Sequence, residues 1–131
     1  MIRREKPDAI VMLGLAATRK RICLEAIAIN VDHEEGGKRR PIVKRGPLAL
    51  ESQLPLDPLY RRLKKAGVPV AISHHAGTYV CNHLYYHALR LKMPCVFVHV
   101  PPFRALAQAR QVRAIRSILD ALGGSSPAAT R

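Results

Sequence analysis

Acidic side chains are scarce in this chain: nine Asp and Glu stand against 22 Lys and Arg, for a formal net charge of +13. Such an excess attracts polyanions but says little about fold. Aromatics are scarce as well. There is no tryptophan, only four tyrosines and two phenylalanines. They are not interleaved with the basic clusters (Arg19-Lys20-Arg21, Lys38-Arg39-Arg40 with Lys44-Arg45, Arg61-Arg62 with Lys64-Lys65) as a stacking platform for single-stranded nucleic acid requires. Zinc-finger, helix-turn-helix and RNP patterns are missing too. The basic runs are therefore read as solvated faces, and nucleic-acid binding is not expected.

Long apolar runs are also lacking. None approaches the roughly 18 residues of a membrane helix, so no membrane partner is expected. The opening "MIRREKPD" is charged and carries no apolar stretch before a cleavage site, which argues against a secretory signal. Three cysteines, Cys23, Cys81 and Cys95, are an odd number without framework spacing. Reduced thiols in a cytoplasm are the expectation.

What is present suits one domain: 131 residues, 48% of them apolar. "DAIVMLGL" (8–15) predicts a buried strand ending at Gly14. "ICLEAIAINV" (22–31) predicts a second, with Leu24, Ala26 and Ala28 on one side and Glu25, Ile27, Ile29 and Val31 on the other. Residues 32–55 read as a long polar loop. Residues 57–67 predict a helix, with Pro58 in its first turn and Gly67 as its stop. A strand over 68–73, a helix over 78–92 and a strand over 95–100 follow. The last helix, about 103–122, carries the apolar stripe Val112, Ile115, Leu119 and Leu122. A single α/β domain over 1–122 and a flexible tail over 123–131 result, without repeats. Strands alternating with helices predict a three-layer α/β sandwich, a largely parallel sheet flanked by helices on both faces.

Ligands in such sheets collect at the carboxyl ends of strands. Strand 68–73 ends there, "HHAG" turns the chain, and Thr78 can cap the helix that begins at its side. Cys81 then falls in the first helical turn, where free N–H groups and the helix dipole favour a thiolate. The same N–H groups suit the oxyanion of an attacked carbonyl. A thiol needs a base, and His99, at the end of strand 95–100, is the candidate. Glu25, a lone acid among Ile27, Ile29 and Val31, is costly to bury unless paired, and a histidine that needs orienting is a natural partner. Each residue also has an inert reading: a cysteine as a small hydrophobe (expected of Cys23 and Cys95), His99 as a satisfied core residue, Glu25 on an edge strand. His83 and His87 have the i, i+4 spacing of a helical zinc pair, with His74 and His75 close in sequence. His83, however, projects about 200° around the helix from Cys81, so no metal site is assigned.

"AISHHAGTYVCNHLYY" resembles the cysteine signature of the pyroglutamyl peptidase I (pyrrolidone-carboxylate peptidase) family. Ser73, Ala76, Gly77, Thr78, Tyr79, Val80, Cys81 and Asn82 carry the match. "FVHVP" resembles the stretch that holds the family's catalytic histidine, at His99, and "GLAATRKRICLEAIAIN" the segment that holds its acid, at Glu25. The resemblance implies a cysteine peptidase that removes N-terminal pyroglutamate from peptides. Cys81 would be the nucleophile, His99 the general base and acid, and Glu25 the residue orienting His99. It also implies no metal or cofactor, a cytosolic location and often a homo-oligomer. Family members run to roughly 200 residues, an ordinary domain size. They open with a Thr-Gly-Phe-Glu-Pro-Phe-Gly type segment that contributes a strand and grips the lactam ring, and nothing like it stands here. The family's Asp-Ala-Arg-Ile-Pro-Asp-Asn stretch is replaced by "VDHEEGGKRRP". The alternative reading is a catalytically impaired relative serving as a binding or subunit-interaction protein, with basic nucleic-acid binding ranked behind it.

Overall fold

The computed structural model describes residues 7–34 and 36–123; the predicted tail from 124 onward lies outside the described residues. In chain order the elements are β1 (Ile10–Leu15), β2 (Ile22–Glu25), β3 (Ile27–Ile29), β4 (Asp32–His33), β5 (Arg39–Arg40) and β6 (Ala49–Glu51). Helix α1 (Leu56–Lys65), β7 (Val70–Ser73), α2 (Val80–Arg90), β8 (Cys95–Val100) and α3 (Gln108–Gly123) follow. Helix α1 forms because Leu56, Leu59 and Leu63 recur at helical spacing and bury on one face. Each such leucine contributes roughly 1.5–3 kcal/mol relative to exposure. Gly67, at φ +79°, lets the chain reverse after it.

Four strands form the main sheet in the order β1-β8-β2-β7. Pairings β1/β8 and β2/β7 are parallel and β2/β8 is antiparallel, so the sheet is mixed and mostly parallel. One core fills the space between the sheet and α1 and α3, with Ile22, Leu24, Leu63, Val96, Val98 and Ile118 at its centre. The second lies on the opposite face, where Tyr85, Tyr86 and Leu89 of α2 meet Cys95 and Phe97. The predicted three-layer sandwich is what is found.

The structure differs from these expectations in several details. The strand predicted over 22–31 breaks at Ala26, whose N–H donates to Ser73 O at 2.7 Å while its carbonyl accepts from Ser52 N at 2.9 Å. Beyond the break β3 leaves the main sheet and pairs with β6. Leu24 and Ala28 accordingly lie in opposite cores rather than on one side. The loop expected over 32–55 contains the small β4/β5 hairpin and β6. Asn30 ties it down, donating to Val43 O at 2.8 Å and accepting from Val43 N at 2.8 Å.

The last helix begins at Gln108 and runs through Gly123; residues 103–105 form a turn closed onto Pro102 O. Its buried face is Gln111, Ala114 and Ile118, whereas Val112 and Leu119 are exposed. Gln111 turns inward because its amide donates to Pro101 O at 2.6 Å and Leu106 O at 2.9 Å, a satisfied polar anchor that apolar periodicity does not register. None of the described helices is long and apolar enough to cross a membrane.

Candidate active site

In the antiparallel pair β2/β8, Cys23 stands opposite His99 and Glu25 opposite Phe97. Glu25 and His99 are therefore diagonal neighbours on one face, roughly 7–8 Å apart at their Cα atoms. Their side chains close that gap: His99 Nδ1 lies 3.2 Å from Glu25 Oε1. Both residues are buried, Glu25 completely. The carboxylate and imidazole thus meet across antiparallel strands, not at a shared carboxyl rim of parallel ones as the strand ends suggested.

Burial alone would raise the Glu25 pKa. Polar contact with His99 and Ser73 and the Arg19 charge outweigh it and hold the carboxyl below its ordinary range. An ionised carboxylate only accepts hydrogen bonds, so the bond to His99 requires the proton on Nδ1. The lone pair is then on Nε2, the tautomer a general base needs. The Tyr85 hydroxyl fixes the backbone at the same point, donating to Glu25 O at 2.7 Å.

Cys81 reaches this face from α2. It is half-buried in the first turn of that helix. In β1, Gly14 pairs with His99, a strand spacing of about 4.8 Å. A β-carbon added at Gly14 would lie 2.8 Å from Cys81 Sγ and 2.8 Å from Phe97 Cζ. The sulfur therefore occupies the space that glycine leaves open, one strand from the imidazole. The Phe97 ring packs against His99 at a tilt of 48°, ring centroids 4.9 Å apart. Among the described residues the thiol is not hydrogen-bonded to the imidazole, whose partner is Glu25. Such bonds commonly tighten only with substrate in place. Gly14→Ala is expected to push the sulfur aside and lower kcat/KM by about 100-fold, the effect of a misplacement near 1 Å. Steady-state kinetics beside a thermal melt separates this from unfolding; a folded Gly14→Ala chain with parental kcat/KM would contradict the placement.

Two local expectations need correction. Thr78 does not cap α2; the N-cap is Tyr79, without a side-chain cap bond, and the Thr78 hydroxyl is bonded to the His33 ring instead. Nor is the Cys81 pKa lowered. Burial and the Glu25 carboxylate push it above the ordinary thiol value, outweighing the helix-terminal N–H. A shift in that direction favours the thiol over the thiolate, so attack calls for a base to take the proton. Cys95, buried under the sheet, is pushed up to about 11 and is an inert core thiol. All three cysteines are free.

His83 pairs with Asp32 at 3.4 Å and meets the His87 ring at a tilt, and no group of three or more His, Cys, Asp or Glu able to hold a metal ion forms among the described residues. Asn82, fully buried, staples the chain after the Ala26 break to α2: its side chain accepts from Ile29 N at 2.9 Å and donates to Ile29 O at 2.8 Å. Its role and that of Arg19, which contacts Glu25 Oε1 at 2.8 Å, are not signalled by periodicity. The one cue to Arg19 is that a buried acid needs a cation.

The pyroglutamyl peptidase family model matches residues 1–112, most of the chain. The chain belongs to the pyroglutamyl peptidase family. It is 40% identical over 125 residues to the pyrrolidone-carboxylate peptidase of Brevibacillus brevis, covering 84% of this chain and 58% of that protein. With the Vibrio vulnificus (strain YJ016) pyrrolidone-carboxylate peptidase the identity is 34%, covering 92% of this chain and 63% of that one. The crystal structure of pyrrolidone carboxyl peptidase from Thermus thermophilus superposes with a TM-score of 0.79 at 33% identity, covering 91% of this chain and 72% of that one. The chain thus spans well under two thirds of its Brevibacillus relative.

Proposed function

We propose that this pyroglutamyl peptidase family member hydrolyses the bond after an N-terminal pyroglutamyl residue, with Cys81 as nucleophile, His99 as general base and acid, and Glu25 orienting His99. The observation that carries the reading is the buried Glu25–His99 pair with the Cys81 sulfur packed over Gly14, the register partner of His99. The names of the relatives, pyrrolidone-carboxylate peptidase, supply the substrate class.

His99 Nε2 takes the thiol proton as Sγ attacks the pyroglutamyl carbonyl carbon. The developing oxyanion is met by the free N–H groups of the first turn of α2. The intermediate collapses, the C–N bond breaks, and the imidazolium returns its proton to the leaving amine. Water, deprotonated by His99, then attacks the thioester, releasing pyroglutamate and restoring the thiol. Peptides with N-terminal pyroglutamate are the partners of this chemistry, and the free cysteines fit a cytoplasmic location.

A pyroglutamyl-aminocoumarin tests the reading against a prolyl-aminocoumarin, which lacks the lactam carbonyl. Release from the first and not the second is expected; no release from either would overturn it.

One observation favours a second reading, that of a binding or subunit-interaction protein. Strand β1 is the sheet edge, and Leu13 and Leu15 on it are 54% and 65% exposed. An open edge invites another chain. Light scattering combined with a pyroglutamyl aldehyde titration separates the two: a monomer that forms a stoichiometric thiohemiacetal counts against this second reading.

A further inference from the structure

Arg19 lies outside the three residues assigned to chemistry, yet its guanidinium touches two of the segments that carry them. It projects from the β1–β2 turn, where its own N–H donates to Ala16 O at 3.1 Å. Nη1 donates to Glu25 Oε1 at 2.8 Å, and Nη2 donates to His75 O at 2.7 Å. His75 belongs to the loop that connects β7 to α2 and so to Cys81. We infer that Arg19 is a positioning residue of the site proposed above, holding Glu25 as a carboxylate against His99 while fixing the loop that delivers Cys81. The inference rests on that proposed function.

The charge balance gives the reason. Glu25 is fully buried; its Oε1 is shared between Arg19 and His99, and Oε2 is buried with no hydrogen-bond partner among the described residues. A carboxylate in that position is costly unless paired. Without Arg19 it has two ways to relax, and both damage the base. It can take up a proton and stop holding His99 in the required tautomer, or it can retain its charge and hold the imidazole protonated. Arg19 neutralises the carboxylate through the oxygen His99 also uses and thereby blocks both. Among the described residues the ionisable groups facing Glu25 are Arg19 from the turn, His99 from β8, Cys23 within β2 and Cys81 from α2; the Tyr85 hydroxyl from α2 is committed to the Glu25 carbonyl. Arg19 is the one permanent cation among them.

The second contact acts on geometry. The loop already carries local bonds, His75 N–H to Ser73 Oγ at 3.2 Å and Gly77 N–H to His75 Nδ1 at 2.9 Å. Gly77, at φ +89°, makes the turn toward α2. Arg19 ties this local structure to the acid's strand across 56 positions of sequence. A planar fork with donors in two directions can do this; a lysine ammonium matches the charge but not the bridge.

The test uses Arg19→Met and Arg19→Lys in the full chain. The first readout is kcat and KM for the pyroglutamyl substrate across pH. The second is the carbon-13 titration of the Glu25 carboxyl, assigned by its loss in Glu25→Gln. Arg19→Met is expected to lower kcat by about tenfold or more with little change in KM. The acid limb of kcat/KM and the Glu25 titration should both move up by about one pH unit, the scale of a lost charge partner. Arg19→Lys should restore both pH positions but only part of kcat. A purely structural role would lower the melting temperature and leave both pH positions unmoved, and that result overturns the inference. A parent chain without hydrolysis removes the peptidase reading alone; the Glu25 titration then decides Arg19 by itself. If Arg19→Met does not fold, Arg19→Gln takes its place, with the same expected shift.

Discussion

Cys81→Ala is expected to abolish pyroglutamyl release, lowering kcat/KM on the order of 10⁵-fold or more, because the acyl-enzyme route has no substitute on this face. The control that matters is Cys23. It is buried and stands opposite His99 on the same face of β2/β8, so nearness to the imidazole alone does not separate the two thiols. Cys81 differs by lying in the first turn of α2, beside N–H groups that can receive an oxyanion, whereas Cys23 is held within a strand with Sγ directed to Arg21 O at 3.6 Å. Cys23→Ala and Cys95→Ala should therefore retain catalysis, with losses confined to stability. Active-site titration of the three variants checks this; an active Cys81→Ala chain would remove the sulfur from the mechanism.

His99→Ala is expected to cost about 10²–10⁴-fold, the usual worth of a positioned general base. The pH dependence of the remainder is the sharper readout. Burial and the Glu25 carboxylate raise the Cys81 pKa above the ordinary thiol value. Without the imidazole the thiol must ionise into bulk water, and the residual rate should climb about tenfold per pH unit until the thiol's own raised value is reached. The parent, whose thiol loses its proton to a neighbour only during attack, should show no such climb. Imidazole added to His99→Ala, which leaves a ring-sized space beside Phe97, should recover part of the rate. Parallel pH profiles for parent and variant would mean that His99 is not the base.

Glu25 also contributes to the pH dependence of stability. Its native pKa is depressed, so its contribution to stability is complete above the ordinary carboxyl value and is lost as pH falls through the depressed one. Protonation of Glu25 would thus remove both this contribution and the carboxylate that holds the proton on His99 Nδ1.

Short-range signals made much of this legible. "CVFVHV" is a continuous apolar run and forms β8 over the span read from it. Glu25 was conspicuous because an acid in an apolar strand needs a partner, and His99 is one of the two it has. Non-local effects were not legible. The break at Ala26 depends on Ser52 and Ser73, which lie 26 and 47 positions further on and take up its backbone bonds, and the antiparallel β2/β8 pairing joins residues still further apart in sequence. The direction of the Cys81 shift depends on how deeply the helix start is buried and on a carboxylate from another strand, which together outweigh the local backbone N–H. Arg19 stood among basic neighbours and read as one more solvated charge, until Glu25 and His75 were found at its two ends.

The convergence of Cys81 with His99 is tested most directly by trapping. Incubation with a pyroglutamyl diazomethyl ketone, followed by intact mass and peptide mapping, should give one adduct per chain, on Cys81, formed slowly or not at all in His99→Ala. No adduct in the folded parent chain, or one on Cys23 or Cys95, would contradict the account.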